Sequence, residues 1–316
     1  MKSAPSPQSI SESDSVVTGS VDDGKRWSRR RFLATGVAGS FAACTASGAW
    51  ALWGAPHNVE LVNVPMPLRD LPDSLIGKTI VQISDLHVGP IVSHEYLRHC
   101  LELVSSLEPD IVAVTGDFVS YDGPARIDEA VSLLADMQRG KLATIAVTGN
   151  HDFGFSRDGF TNRQVADALT EKLDGIGIQL LRNSAIEIGG LRLLGVDDFW
   201  GPTHELDETL SSGDGDRPSV MLCHNPDFVD QPGWDDYRGW ILAGHTHGGQ
   251  VRLPFCKPPI LPIRNRDYAA GEIDLSGSRT LYVNRGLGYL RKVRLNVRPE
   301  ITVFELSRAA LNDLAS

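Results

Sequence analysis

A chain of 316 residues with 41% apolar and 22% charged side chains is long enough to bury one large core or two modest ones, and too apolar for a disordered polymer. Four cysteines in that length exclude a disulfide-built scaffold. A formal charge of -10 argues against general nucleic-acid binding, which runs on a basic field, so no nucleic-acid partner is expected.

The charge is uneven. Residues 1–51 carry six basic and four acidic side chains, which leaves -12 for the remainder. Within that acidic remainder, Lys257 to Glu300 holds nine Lys or Arg against four Asp or Glu. This net +5 reads either as a place where an anion or anionic surface is met or as a solvated basic face.

In chain order, residues 1–24 are rich in Ser, Asp, Pro and Gly without apolar periodicity and are expected to be disordered. Lys25-Arg26-Trp27-Ser28-Arg29-Arg30-Arg31-Phe32-Leu33 follows, then an uncharged, mildly apolar run from Phe32 to Val59. This combination resembles a twin-arginine export signal, which implies the twin-arginine translocation machinery as a partner and a body outside the cytoplasmic membrane. The competing reading is an uncleaved anchor oriented by its arginines. Cleavage stays open, with Ala49-Trp50-Ala51 as one small-x-small site. The expected division is residues 1–56 as address and residues 57–316 as one globular domain.

After a Pro-punctuated connector from Pro65 to Pro72, Thr79 to Ser84 is a β-rich run and Glu95 to Leu107 has helical spacing. The strand-helix pair repeats as Ile111 to Thr115 with Ile127 to Met137, and as Ala143 to Thr148 with Val165 to Leu173, a rhythm of parallel strands with crossover helices outside. Beyond residue 175 short strands dominate: Gln179–Leu181, Ala185–Gly189, Leu191–Val196, Val220–Cys223, Trp240–Ala243, Gln250–Leu253, Thr280–Val283 and Ile301–Leu306, with Gly189-Gly190 and Ser276-Gly277 as hairpin turns. The fold class expected is α/β, two packed β-sheets flanked by helices in four α/β/β/α layers. Cys100, Cys223 and Cys256 lack paired spacing and read as buried small apolar residues.

The polar residues gather just after the strands, where open α/β sheets collect ligands. Asp85 and His87 follow the first strand, Asp117 the second, Asn150 and His151 the third, His224 the Val220 strand, and His245 and His247 the Trp240 strand. Asp-x-His and His-x-His place two side chains on one side of an extended segment. The set offers nitrogen and hard oxygen donors without thiolate, which suits a pair of divalent transition metals such as Mn, Fe, Zn or Co rather than a calcium cage or a structural zinc site.

Two such metals acidify a water and clamp the attacking and leaving oxygens at phosphorus. His151 diverges from its neighbour Asn150 and is free to stabilise phosphoryl oxygens or protonate the leaving alkoxide, with Asp152 expected to orient its imidazole. Asp197-Asp198, at another strand end, reads as a turn cap or as a contact to metal-bound water or substrate. Arg264, Arg285, Arg291 and Arg294 are candidates to grip phosphate, and His57, His94, His99 and His204 read as surface or helix-face residues.

Asp85-Leu86-His87, Gly116-Asp117, Gly149-Asn150-His151-Asp152, Cys223-His224 and Gly244-His245-Thr246-His247 resemble, in order, the five motifs of the calcineurin-like metallophosphoesterases. The match spans residues 79 to about 305 and no ligand position is missing. The segments Gly248 to Pro254 and Val283 to Gly288 look like a bacterial exported or membrane-anchored branch. The resemblance implies that Asp85, His87 and His247 hold one divalent metal, that Asn150, His224 and His245 hold the other, and that Asp117 bridges them. A metal-bridging hydroxide attacking phosphorus, in a phosphodiesterase or pyrophosphatase of phosphorylated small molecules or lipids at the cell envelope, is the activity it implies. Hydrolysis of a nucleotide-sugar lipid A precursor, UDP-diacylglucosamine, is the alternative substrate; a non-catalytic envelope scaffold is the alternative of another class, and loss of ligands would mark it.

Overall fold

The computed structural model describes residues 29–120, 123–154, 159, 162–234 and 236–309; the stretch 1–24, expected to be disordered, and Lys25 to Ser28 of the expected signal lie outside the described residues. The first element is helix α1, Arg29–Ala49, which leaves Phe32, Leu33, Val37 and Phe41 exposed. Among the described residues one helix, Phe32–His57, is long and apolar enough to cross a membrane.

A compact body runs from Ser47 onward. Within it Ala51 accepts from Arg294 N at 2.9 Å, and His57 meets the Tyr289 hydroxyl at 3.1 Å while stacking on Tyr96. His57 is therefore a half-buried packing residue and not a surface one.

Two six-stranded mixed sheets build the body. The first runs β1 (Glu60–Leu68), β12 (Glu300–Arg308), β2 (Thr79–Ile83), β3 (Ile111–Thr115), β4 (Ala143–Val147) and β5 (Gln179–Leu180) across the sheet. The second runs β10 (Gly271–Leu275), β11 (Arg279–Val283), β9 (Gly239–Ala243), β8 (Ser219–Leu222), β7 (Leu191–Gly195) and β6 (Ser184–Ile188). Strands β2 to β5 are mutually parallel, as are β7, β8, β9 and β11, while β12 pairs antiparallel with β2 and the edges β6 and β10 are antiparallel hairpin partners.

Alternation along each strand explains the layers. In β3, Ile111 and Ala113 face the layer between the sheets, where they meet Val220, Leu222, Trp240 and Phe304, while Val112 and Val114 face outward. Helices α2 (His94–Ser106), α3 (Gly123–Ala135) and α4 (Arg163–Asp174) cover that outer face through Leu97, Leu101, Leu134 and Leu169. The outer face of the second sheet is covered by the short α5 (Leu206–Ser211) and by Phe228, Trp234 and Tyr237. A strand buried on both faces reads as a continuous apolar run, as β3 does. The expected α/β/β/α layering is the observed one.

Four local expectations differ. The Pro65 to Pro72 connector begins inside strand β1, an edge strand whose exposed positions include Pro65 and Pro67; both missing N–H groups fall on the open side, where no ladder bond is lost. Gln250 to Leu253 is not a strand: Gln250 turns to φ +57 and the segment makes one bridge, Val251 to Leu295. β10 replaces part of what reads as loop. Cys256 is exposed, unlike the buried Cys100 and Cys223.

Candidate metal centre

Strands β2, β3 and β4 of one sheet and β8 and β9 of the other end on the same rim, and each strand-end loop turns a polar side chain inward. The turn is made by unusual backbone: Asp85, His87, Asp117, His245 and His247 all have positive φ, between +48° and +70°. For residues with a Cβ this conformation costs roughly 1–3 kcal/mol each, and five instances in one pocket mark a site whose geometry the surrounding structure holds in place. Two glycines make room. A Cβ on Gly149 would stand 2.2 Å from Asp117 Oδ1, and one on Gly244 would stand 2.5 Å from Asp85 Oδ2.

Six of the seven expected ligands converge. Donor atoms of Asp85, His87 and His247 lie within 4.8 Å of one another, as do those of Asp117, His224 and His245, and those of His87, Asp117 and His151. Asp117 Oδ2 stands 3.5 Å from His87 Nε2 and 3.3 Å from His224 Nε2, so it reaches both groups. Asn150 is buried in the same loop as His151, and its Oδ1 has no hydrogen-bond partner. A buried amide oxygen left unpaired is costly unless something electropositive faces it.

The imidazoles point the same way. His224 Nδ1 donates to the Thr115 carbonyl at 2.7 Å and His245 Nε2 donates to the Pro262 carbonyl at 3.1 Å. Each bond fixes a tautomer, in the manner of metal-ligating histidines whose second nitrogen is held by a carbonyl. The remaining nitrogens, His224 Nε2 and His245 Nδ1, then face each other across 3.1 Å beside Asp117. His87 and His247 likewise bring their Nε2 atoms to 3.0 Å. Lone pairs directed at one another and at carboxylates repel unless a cation or proton sits among them.

Electrostatics repeats the argument. Burial drives His87 well below the ordinary value, His245 to about 3 and His247 to about 4, leaving neutral imidazoles with lone pairs available. Burial also opposes charge on His224, but the Asp117 carboxylate outweighs it and raises His224 well above 6.5. In the polypeptide by itself, that proton offsets part of the charge of Asp85 and Asp117, both nearly fully buried. Divalent cations meet the same demand, and the donor chemistry fits them.

Asp152 does not orient His151. Its carboxylate accepts from four main-chain N–H groups, those of Asp117 (2.9 Å), Phe118 (2.9 Å), Val119 (3.3 Å) and Gly149 (2.8 Å). These fill its four lone-pair positions and weld the β3 and β4 end loops together. Burial and the Asp117 charge push its pKa up, and only the carboxylate form can accept all four bonds. His151 donates its main-chain N–H to Asp117 Oδ1 at 3.0 Å and sets its ring edge-on to His87.

Two of the four candidate arginines are structural. Arg294 is fully buried and donates to the carbonyls of Arg285, Gly286 and Gly288, while Arg285 pairs with Glu300 and Glu60. Arg264 and Arg291 are exposed. Asp198 caps the following turn by accepting from Trp200 N at 2.8 Å, and Asp197 binds Arg182 and Thr203. Sequence reasoning missed Trp200, whose partly exposed indole stands edge-on to His245 at 4.6 Å, and the Thr115 and Pro262 carbonyls, which carry no side-chain signal.

Known proteins resemble this chain over most of its length. Residues 78–249 match the profile of the calcineurin-like phosphoesterase family. The chain is 33% identical to the uncharacterized metallophosphoesterase YkuE of Bacillus subtilis, over 89% of this chain and 98% of that one. It is 31% identical to the phosphodiesterase YaeI of Escherichia coli, covering 88% and 99%. It is 28% identical to the UDP-2,3-diacylglucosamine pyrophosphatase LpxG of Chlamydia trachomatis, covering 85% and 97%.

Proposed function

The chain belongs to the calcineurin-like phosphoesterase family and is a phosphoester hydrolase, and on that premise we propose that it cleaves phosphodiester or pyrophosphate bonds at the cell envelope with two divalent cations. Asp85, His87 and His247 would hold one cation and Asn150, His224 and His245 the other, with Asp117 common to both. The observation that carries this reading is the pair of inward-facing imidazole nitrogens, His224 Nε2 and His245 Nδ1, beside Asp117 with their outer nitrogens fixed by carbonyls. When bound, the cations supply Lewis acidity, lowering the pKa of water and offsetting phosphoryl charge.

The chain's own residues do the remainder. Burial lowers the His151 pKa, with the Asp117 charge opposing, so its imidazole is neutral at pH 7 and suited to donate an N–H to a phosphoryl oxygen. Asp152 holds the main chain of Asp117 and Gly149 at fixed separation, which keeps the donors from drifting apart. Trp200, edge-on to His245, would give an organic leaving group an apolar wall. The envelope location rests on the Arg29-Arg30-Arg31 start of the apolar helix, read as a signal served by the twin-arginine translocation machinery. Manganese, iron, zinc and cobalt all suit the donor set.

The purified full chain is expected to hydrolyse bis(p-nitrophenyl) phosphate faster than p-nitrophenyl phosphate when supplied with Mn²⁺. Absence of diester turnover with any of Mn²⁺, Fe²⁺, Zn²⁺ or Co²⁺ would sink the reading. The similarity to LpxG favours a second substrate, UDP-2,3-diacylglucosamine, and turnover of that compound above the model diester would replace the first.

A further inference from the structure

We propose that the rim of the body beside the metal-ligand pocket is a docking surface for an anionic lipid bilayer, from which phosphoester substrates are drawn. Its activity arm rests on the hydrolase reading above; the docking itself does not.

Two segments form the surface. Three residues past His247 the chain leaves the pocket, and Leu253, Phe255 and Ile260 then stand exposed, Phe255 fully so. The second segment is the helical stretch Trp50–Gly54 near the end of the apolar helix, where Trp50, Leu52 and Trp53 are exposed. A strap at residues 291–295 joins them: Arg294 N donates to the Ala51 carbonyl, Gln250 Nε2 donates to the Arg291 and Val293 carbonyls, and Arg252 N donates to the Leu295 carbonyl. Fifteen bulky apolar side chains are exposed among the described residues; seven lie on the apolar helix Phe32–His57, and three of the remaining eight fall between Leu253 and Ile260. Single exposed apolar residues are ordinary, but such a concentration marks a contact surface.

The accompanying charge selects the occupant. Arg252, Arg291 and Lys292 are exposed on the same strap and segment, and none has an acidic partner among the described residues, whereas Lys257 is paired with Asp267. A basic rim on a protein of charge -10 complements anionic headgroups, with each such residue adding to attraction near the surface. Tryptophans beside lysine and arginine are the usual composition at a bilayer interface, whereas lysine is depleted from protein interfaces. The Trp50–Gly54 segment is itself part of the apolar helix Phe32–His57 that is long enough to cross a membrane. Docking would bring headgroups to the pocket mouth, because the Pro262 carbonyl, two residues past Ile260, holds His245.

The experiment uses the full chain with Cys44→Ala, in which Cys256 is the exposed thiol and Cys100 and Cys223 are buried. An environment-sensitive label on Cys256 is followed in phosphatidylcholine vesicles with and without phosphatidylglycerol, using nitroxide lipids as quenchers. Phosphatidylglycerol should shift the label to a drier environment and expose it to quenching, while a label at Ser276→Cys (with Cys44→Ala and Cys256→Ala), on the β10–β11 hairpin, should stay wet. Phe255→Ser with Ile260→Ser should abolish the quenching and slow hydrolysis of vesicle-borne phosphatidylglycerol about tenfold, with bis(p-nitrophenyl) phosphate turnover unchanged. A Cys256 label as wet as the one at 276, or equally quenched without phosphatidylglycerol, would overturn the proposal, as would a variant that slows both substrates alike. Quenching without hydrolysis of any substrate would leave docking standing and defeat the hydrolase reading instead.

Discussion

Asp117→Ala is expected to lower bis(p-nitrophenyl) phosphate turnover by about three orders of magnitude, the scale seen when a group that organises transition-state charge is removed. Asp117 Oδ2 is within 3.5 Å of His87 and His224, which belong to the two donor groups, so its loss breaks both at once. The fold should survive. The side chain accepts one main-chain bond, from His151 N, and its deletion removes a buried charge together with the electrostatic reason for a proton on His224. Thermal unfolding without added metal should therefore change little, while the stabilisation that Mn²⁺ gives the unaltered protein by binding the native state should disappear. Turnover within tenfold of the unaltered protein would contradict the two-metal assignment.

Asp152→Asn is expected to act through stability. The substitution turns one oxygen into an NH₂ group facing N–H donors, so two of the four bonds in the weld become donor against donor. Leaving buried N–H groups unsatisfied costs about 1–3 kcal/mol each, a drop of roughly 5–10 °C in the unfolding midpoint for a body of this size. Activity should fall as well, since Asp117, Gly149 and Asn150 lose their common brace. An unchanged midpoint measured by circular dichroism would show that Asp152 does not hold these loops.

Much of the centre was legible because its chemistry is local. Asp85-x-His87 and His245-x-His247 are short patterns at strand ends, and strands buried on both faces, such as Ile111–Thr115, are continuous apolar runs that fix where those ends fall. What stayed hidden depends on partners distant in the chain. The role of Asp152 is set by N–H groups 33 to 35 residues away as well as by Gly149, and its position next to His151 suggests a different contact. Arg294 carries the charge of a phosphate-gripping residue, yet three carbonyls and complete burial make it a structural strut. Strand β1 was obscured by Pro65 and Pro67, which are acceptable only because β12 lies on its other side. Cys256 lacks the packing that composition alone would assign to a small apolar residue, because the chain after Gln250 turns outward at positive φ.

The most direct measurement is the metal content of the full chain by elemental analysis after loading with Mn²⁺ and removal of excess. Convergence of Asp85, His87, Asp117, His224, His245 and His247, with the unpartnered Asn150 Oδ1 in an adjoining loop, predicts two ions per chain, falling below one in Asp117→Ala. One ion or none in the unaltered protein, or the same content in both proteins, would contradict it.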